Sequence, residues 1–270
     1  MGTLEISSMD GFLAKRVIAI QRRLKRQWDF VGIIDGGEGA GKTTFAFQLC
    51  KAVDPTFNID RVCFNEEQFN EQVLKCTPGQ AICLDEAMNV FFKRTTMSAT
   101  NILMVRVLAE CRKRNLFLLF VMPSFFEMDR YPALHRASCL IHVYTVMNER
   151  GDADRGYFRY YDKDKKKKLY LEGRKAMIYN VVKPNFFGRF TKAFPIPDKE
   201  YQAKKDEALL QKKTTRDGRE ENHLAMLKQL YVLWGTPSNR VYRAKCVDVN
   251  IKFNNNLWKE ISGEEVEPDN

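Results

Sequence analysis

Apolar positions along this chain follow two rhythms. Short, largely apolar runs, Phe30–Ile34, Arg61–Phe64, Ala81–Leu84, Leu116–Met122 and Ser138–Val146, predict buried strands. Between them, helical spacing predicts helices over Lys42–Val53, Glu66–Lys75 and Asn101–Arg114, with Thr77-Pro78-Gly79 breaking the chain after the second. Strands that are apolar throughout and alternate with helices predict a parallel sheet covered on both faces. Ahead of the first strand, Leu13, Val17, Ile20, Leu24 and Trp28 fall on one helical face. The same segment carries Lys15, Arg16, Arg22, Arg23, Lys25 and Arg26 and no acid, which predicts a basic amphipathic helix over 12–28.

The pattern changes after residue 150. Tyr157–Tyr161 and Lys168–Leu171 flank DKDKKKK, which predicts an antiparallel hairpin with a basic, solvated tip. An irregular aromatic segment, KPNFFGRFTKAFPIP, follows. Residues 199–219 read as a charged helix and linker ending in TTRDG. Residues 220–262 read as three short helices. The first carries Leu224, Leu227, Leu230 and Leu233 with Tyr231 and Trp234. The second is capped by Ser238 and carries Val241, Ala244 and Val247. The third, with Phe253, Leu257, Trp258 and Ile261, would present Lys252, Asn254, Asn255, Asn256 and Lys259. That order resembles a helix-turn-helix, and those side chains suit base edges or phosphates. GEEVEPDN forms an acidic tail over 263–270.

Composition narrows the partners. A net charge of +10 favours a polyanion, nucleic acid or a membrane surface. Seven cysteines, most of them in apolar runs and none in CxxC spacing, read as buried reduced thiols rather than a zinc site. No stretch approaches the ~18 apolar residues of a membrane span, and the N-terminus lacks the pattern of a secretory signal. The expected location is the cytoplasm, or a virion if the source is viral.

The chemistry is concentrated after the first strand. Gly36-Gly37-Glu38-Gly39-Ala40-Gly41-Lys42-Thr43, followed by Thr44, fits GxxxxGK[ST] at every fixed position, with a strand before it and a helix after it. The glycines let successive N–H groups converge on phosphate oxygens, and the helix adds its partial positive charge. Lys42 would reach the β- and γ-phosphates and Thr43 would ligand Mg²⁺. A buried strand ending in acid should accompany such a loop, and AICLDEA supplies it: Asp85 for the metal shell, Glu86 to polarise an attacking water.

This pairing of loop and Asp-Glu resembles the additional-strand, catalytic-glutamate class of ATPases. Downstream, AECRKRNLFLLFVMPSFFEMDRYPALHRASCLIHV is similar to the HerA–FtsK branch, and the zonular-occludens-toxin-like ATPases of filamentous phages share much of the pattern. The resemblance covers about residues 29–146. It implies a RecA-like P-loop NTPase of the α/β class with a mostly parallel sheet, plus a small helical, helix-turn-helix-like unit. The cofactors would be ATP and Mg²⁺. Arg112, Arg114 and Arg136 fall at basic positions from which a neighbouring subunit's site is completed. The branch ends its sensor strand in Gln; here that strand ends in Val121-Met122, and Ser124 is the substitute.

The expected domains are 1–198 for the ATPase (helix 12–28, core 29–150, hairpin and aromatic extension 151–198), 199–219 for the linker, 220–262 for the helical unit and 263–270 for the tail. The implied function is ATP hydrolysis coupled to translocation of double-stranded DNA or genome packaging for a virus or plasmid, by a homo-oligomeric ring meeting a viral shell or portal and without an integral membrane segment. Two rivals are a nucleotide-gated DNA-binding or assembly protein with slow turnover, and a toxin-like morphogenesis ATPase.

Overall fold

The computed structural model of the chain describes residues 9–87, 111–248, 251–253 and 257–262. It divides into two compact units, Met1–Lys205 and Asp206–Asn270. The first is a mixed α/β domain around a seven-stranded sheet. Its strands are β1 (Phe30–Gly36), β2 (Val62–Cys63), β3 (Ala81–Leu84), β4 (Phe117–Met122), β5 (Cys139–Met147), β6 (Ala153–Tyr161) and β7 (Phe186–Arg189). Their spatial order is β2-β3-β4-β1-β5-β6-β7. The pairs from β2 through β5 are parallel, and β5–β6 and β6–β7 are antiparallel. β4 therefore lies between the glycine-loop strand β1 and the acid-bearing strand β3. This is the RecA-like arrangement with one additional strand.

Alternation explains the two layers. Val31, Ile33, Ile82, Leu84, Leu118, Phe120 and Leu140 share one buried cluster with Phe69 and Val73 of α3 (Glu66–Lys75) and with Leu169 and Tyr170 of α4 (Lys163–Gly173). The opposite face is covered by α1 (Gly11–Lys25) and α2 (Lys42–Val53), whose Phe45 ring lies 4.9 Å from that of Phe158 on β6. Asp10 caps α1 by accepting from Phe12 N and Leu13 N. Leu13, Val17 and Leu24 are buried while the basic side chains face outward; Trp28 lies beyond the helix, 58% exposed, under the Arg23 guanidinium. The predicted helix Asn101–Arg114 falls outside the described residues up to 110; residues 111–113 are helical.

The expected hairpin with a basic tip is not there. β6 does form a hairpin, but with β5 before it, and the lysine run folds as α4. Asp162 caps that helix by accepting from Lys165 N, and Leu169 and Tyr170 bury against the sheet. Helical spacing then carries Lys166 inward, where it is fully buried and donates to Ala133 O. Burial pushes the Lys166 ammonium down to about 8 from 10.5. A cation with a depressed folded pKa costs stability below that pKa, and the cost fades as pH rises toward the unfolded value. Lys166→Met is expected to stabilise the domain by about 1–3 kcal/mol near neutral pH. Thermal unfolding followed from neutrality to about pH 10 should show the advantage shrinking; an advantage constant over that range contradicts this account.

α5 (Asp198–Leu233) is one continuous helix that includes the segment 199–219 expected as a charged helix and linker. No proline interrupts residues 198–236, and Ala, Leu, Lys, Glu and Gln dominate its first turns, so the single Gly218 is tolerated at a cost of about 1 kcal/mol. In the second unit, Leu227, Tyr242, Cys246, Trp258 and Ile261 form the core with α6 (Asn239–Asp248) and α7 (Trp258–Ser262). The Tyr242 hydroxyl donates to Leu227 O at 2.6 Å. The expected third helix is corrected: residues 251–253 are not helical, α7 has five residues, and Asn254, Asn255 and Asn256 lie outside the described residues.

Candidate functional site: a glycine loop facing paired carboxylates

The loop between β1 and α2 has the backbone that its glycines permit. Gly36, Gly39 and Gly41 sit at φ +148°, +67° and +96°. A Cβ on Gly36 would stand 2.0 Å from Val143 O, and one on Gly41 would stand 3.2 Å from the Phe190 ring. No side chain caps α2, so its first N–H groups are available to an anion. Lys42 curls over the loop, donating to Gly36 O at 2.8 Å and Gly37 O at 2.7 Å. Burial lowers its pKa, against the opposing pull of the Asp85, Asp35 and Glu38 carboxylates. Thr44 is half-buried on the first turn of α2.

β3 delivers Asp85 to this loop. The Thr43 hydroxyl donates to Asp85 Oδ2 at 3.1 Å, from the far side of the intervening strand β4. Asp85 is buried; Asp85 N donates to Cys63 O at 2.9 Å, and Glu86 N donates to Asp85 Oδ1 at 3.0 Å. Burial raises its pKa, opposed by hydrogen bonds from Tyr201, Thr43 and the Glu86 amide. Glu86 has φ +54°, a left-handed conformation uncommon for a residue with a side chain and typical of functional strain. Its half-buried carboxylate meets Lys205 Nζ at 2.7 Å. Hard oxygen donors from Thr43 and Asp85, beside a cradle that a Cβ at Gly36 or Gly41 would obstruct, fit a magnesium–triphosphate pair.

The sequence did not point to Tyr201 or Lys205, which α5 contributes. The Tyr201 hydroxyl donates to Asp85 Oδ2 at 2.8 Å. Its ring is held by Phe47, Phe64 and Phe194, with centroids 5.5–5.6 Å away. Gln48 of α2 fastens the aromatic segment, donating to Thr191 O at 2.8 Å and Ala193 O at 2.7 Å. The segment KPNFFGRFTKAFPIP is thus a strap over the loop helix.

A second unforeseen cluster surrounds Asp35, the fully buried residue next to the loop. It accepts from Phe125 N at 2.8 Å and from the Tyr179 hydroxyl, and meets His142 Nδ1 at 3.0 Å. The His142 and Tyr179 rings stack at 3.8 Å. Ser124 hydrogen-bonds with Tyr179, so the residue expected to sense phosphate belongs to the network that joins the end of β4 to the end of β1. Arg155 is a third addition. A bulge in β6 beside Gly156, at φ +99°, sets its guanidinium 3.6 Å from where a Gly39 Cβ would stand.

The three arginines lie elsewhere. Arg112 and Arg114 precede β4, and Arg136 precedes β5, at the strand ends opposite the glycine loop. Arg114 donates to Leu74 O at 2.8 Å, and Arg136 is ion-paired with Asp29 at 2.6 Å. None reaches the loop of its own chain.

No protein-family model and no curated protein matches the chain. Among solved structures it is similar to the N-terminal domain of zonular occludens toxin from Neisseria meningitidis, at 15% identity and a TM-score of 0.37, over 65% of this chain and 98% of that one. A likeness that weak adds nothing to what the strand order establishes. Among the described residues, no helix is long and apolar enough to cross a membrane.

Proposed function

We propose that the chain is a magnesium-dependent ATPase whose turnover drives movement of DNA, as in packaging of a viral or plasmid genome by a ring of identical subunits. One observation carries the hydrolase reading: the Thr43 hydroxyl and the Asp85 carboxylate, 3.1 Å apart, brought together across β4 at the mouth of the glycine loop. Loop amides and Lys42 hold the phosphates. Thr43 and Asp85 would hold Mg²⁺, which would supply positive charge against the phosphates. Glu86 takes the proton of the attacking water. The Arg155 guanidinium stands beside Gly39 of the loop.

Nucleic acid as the partner rests on charge and on one surface. The exposed cations of α1 face outward without an acid among them. On the antiparallel strands, register sets His142–Arg159–Phe187 and Tyr144–Tyr157–Arg189 as two rungs on one face. Arg159 lies 4.8 Å over the Tyr144 ring, Arg189 lies 4.5 Å over Tyr157, and Phe187 is 72% exposed. Guanidinium and aromatic planes of this kind suit phosphates and bases.

The rival reading, a nucleotide gate with slow turnover, is favoured by the strand that ends in buried Val121 and Met122 where a polar sensor is usual. The toxin-like morphogenesis role is the third. Long duplex DNA should accelerate ATP turnover by a motor and leave a gate unchanged. For the site itself, Lys42→Ala should weaken Mg·ATP binding by roughly one to two decades, the worth of lost charge-assisted hydrogen bonds. Titration calorimetry that finds wild-type affinity in this variant removes the loop from the proposal.

A further inference from the structure

Two of the contacts on the paired carboxylates come from one turn of one helix. Tyr201 and Lys205 are four residues apart on α5, on the same face. Tyr201 donates to Asp85 at 2.8 Å and Lys205 pairs with Glu86 at 2.7 Å. Lys204 beside them donates to Ile59 O and Asp60 O, both at 2.9 Å, just before β2. The turn is anchored at three points, and aromatic packing fixes the Tyr201 ring from three sides.

The two carboxylate contacts differ in kind. The Tyr201–Asp85 bond is buried, and it leaves Asp85 Oδ1 to the Glu86 amide. It orients the aspartate and is compatible with the role assigned to it. The Lys205–Glu86 pair is half-exposed, with side chains 30% and 40% accessible. It holds Oε1 and with it the orientation of the whole carboxylate, so Glu86 is not free to swing toward an attacking water while the pair lasts.

We propose that the first turns of α5 form a latch: Tyr201 positions Asp85, and Lys205 restrains Glu86 until the turn moves away. The helix carrying both residues continues to residue 233, and its turns from residue 206 belong to the second unit. This inference rests on the ATPase reading for its effect on turnover, while the restraint itself is a property of the chain alone. Lys205 is a positioning residue, acting through Glu86.

The test compares wild type, Lys205→Met and Lys205→Arg by two readouts. Amide hydrogen exchange is measured on the chain without nucleotide over residues 198–210, and turnover is measured with Mg·ATP. Lys205→Met, which keeps the stem and removes the charge, should raise exchange in that segment roughly fivefold, in line with the loss of a charged hydrogen bond. It should raise kcat by about three- to tenfold with the dissociation constant for Mg·ATP unchanged. Lys205→Arg should return both readouts to wild type. Unchanged exchange in Lys205→Met overturns the latch whether or not the chain hydrolyses ATP. Raised exchange with an equal or lower kcat also overturns it, because Lys205 then supports the chemistry. If wild type fails to bind Mg·ATP, the ATPase reading falls while the exchange data still decide the restraint.

Discussion

Glu86→Gln is expected to bind Mg·ATP within about threefold of wild type and to lose turnover by ~10²–10⁴, the usual contribution of a positioned general base. The substitution keeps size and shape. The amide can still accept from Lys205 but cannot take a proton from water. Binding is expected to survive, because Glu86 is not among the groups proposed to hold the nucleotide: the loop amides and Lys42 for the phosphates, and the Thr43–Asp85 pair for Mg²⁺. The residue's left-handed backbone, at φ +54°, belongs to the chain rather than to the carboxylate and is unaffected by the change. Single-turnover kinetics separates the chemical step from product release. Normal single-turnover hydrolysis by this variant would falsify the assignment of Glu86, and Arg155 and the Asp35 network would be the groups to test next.

The glycine loop and the Asp-Glu strand end were legible because their chemistry is local. A phosphate nest needs glycines at fixed spacing next to a lysine and a helix start, and all of that fits within a dozen residues. The sheet was legible for a similar reason: strands buried on both faces leave unbroken apolar runs. What lay beyond reach was non-local. Tyr201 is 116 residues from Asp85, and nothing in the helical spacing of KEYQAKK marks its tyrosine as the partner of that carboxylate. Asp35 sits in an apolar strand where one acid reads as the strand's end; its partners come from β5, from the segment after β4 and from the loop after α4. The arginines were expected to serve a neighbouring subunit's site; motif order gave their position in the chain, while the strand ends they occupy became visible only in the fold. The lysine run was misjudged because composition outweighed the Asp162 cap and the Leu169–Tyr170 spacing that together mark a helix with a buried face.

Gly36→Ala should be the most damaging small substitution in the domain. Gly36 ends β1 at φ +148°, a region closed to residues with a Cβ, and it pairs with Val143 of β5. The added methyl would stand 2.0 Å from Val143 O, and that atom is backbone, so no rotamer change relieves the clash. Gly36 N also donates to Pro123 O at 3.3 Å, so a displaced Gly36 disturbs the ends of β4 and β5 together. Backbone strain and the steric shift should cost on the order of 3–5 kcal/mol, enough to unfold a marginal domain. Gly37 provides the control, since a Cβ there meets nothing within 4 Å and its φ is not in the left-handed region. Gly37→Ala should therefore melt within a few degrees of wild type. If Gly36→Ala still folds, its loop must have moved, and its Mg·ATP affinity should fall by at least roughly two decades while Gly37→Ala falls less. A Gly36→Ala protein with wild-type melting and wild-type nucleotide affinity would mean that the loop's glycines are a turn and not a cradle, and the hydrolase reading would lose its foundation.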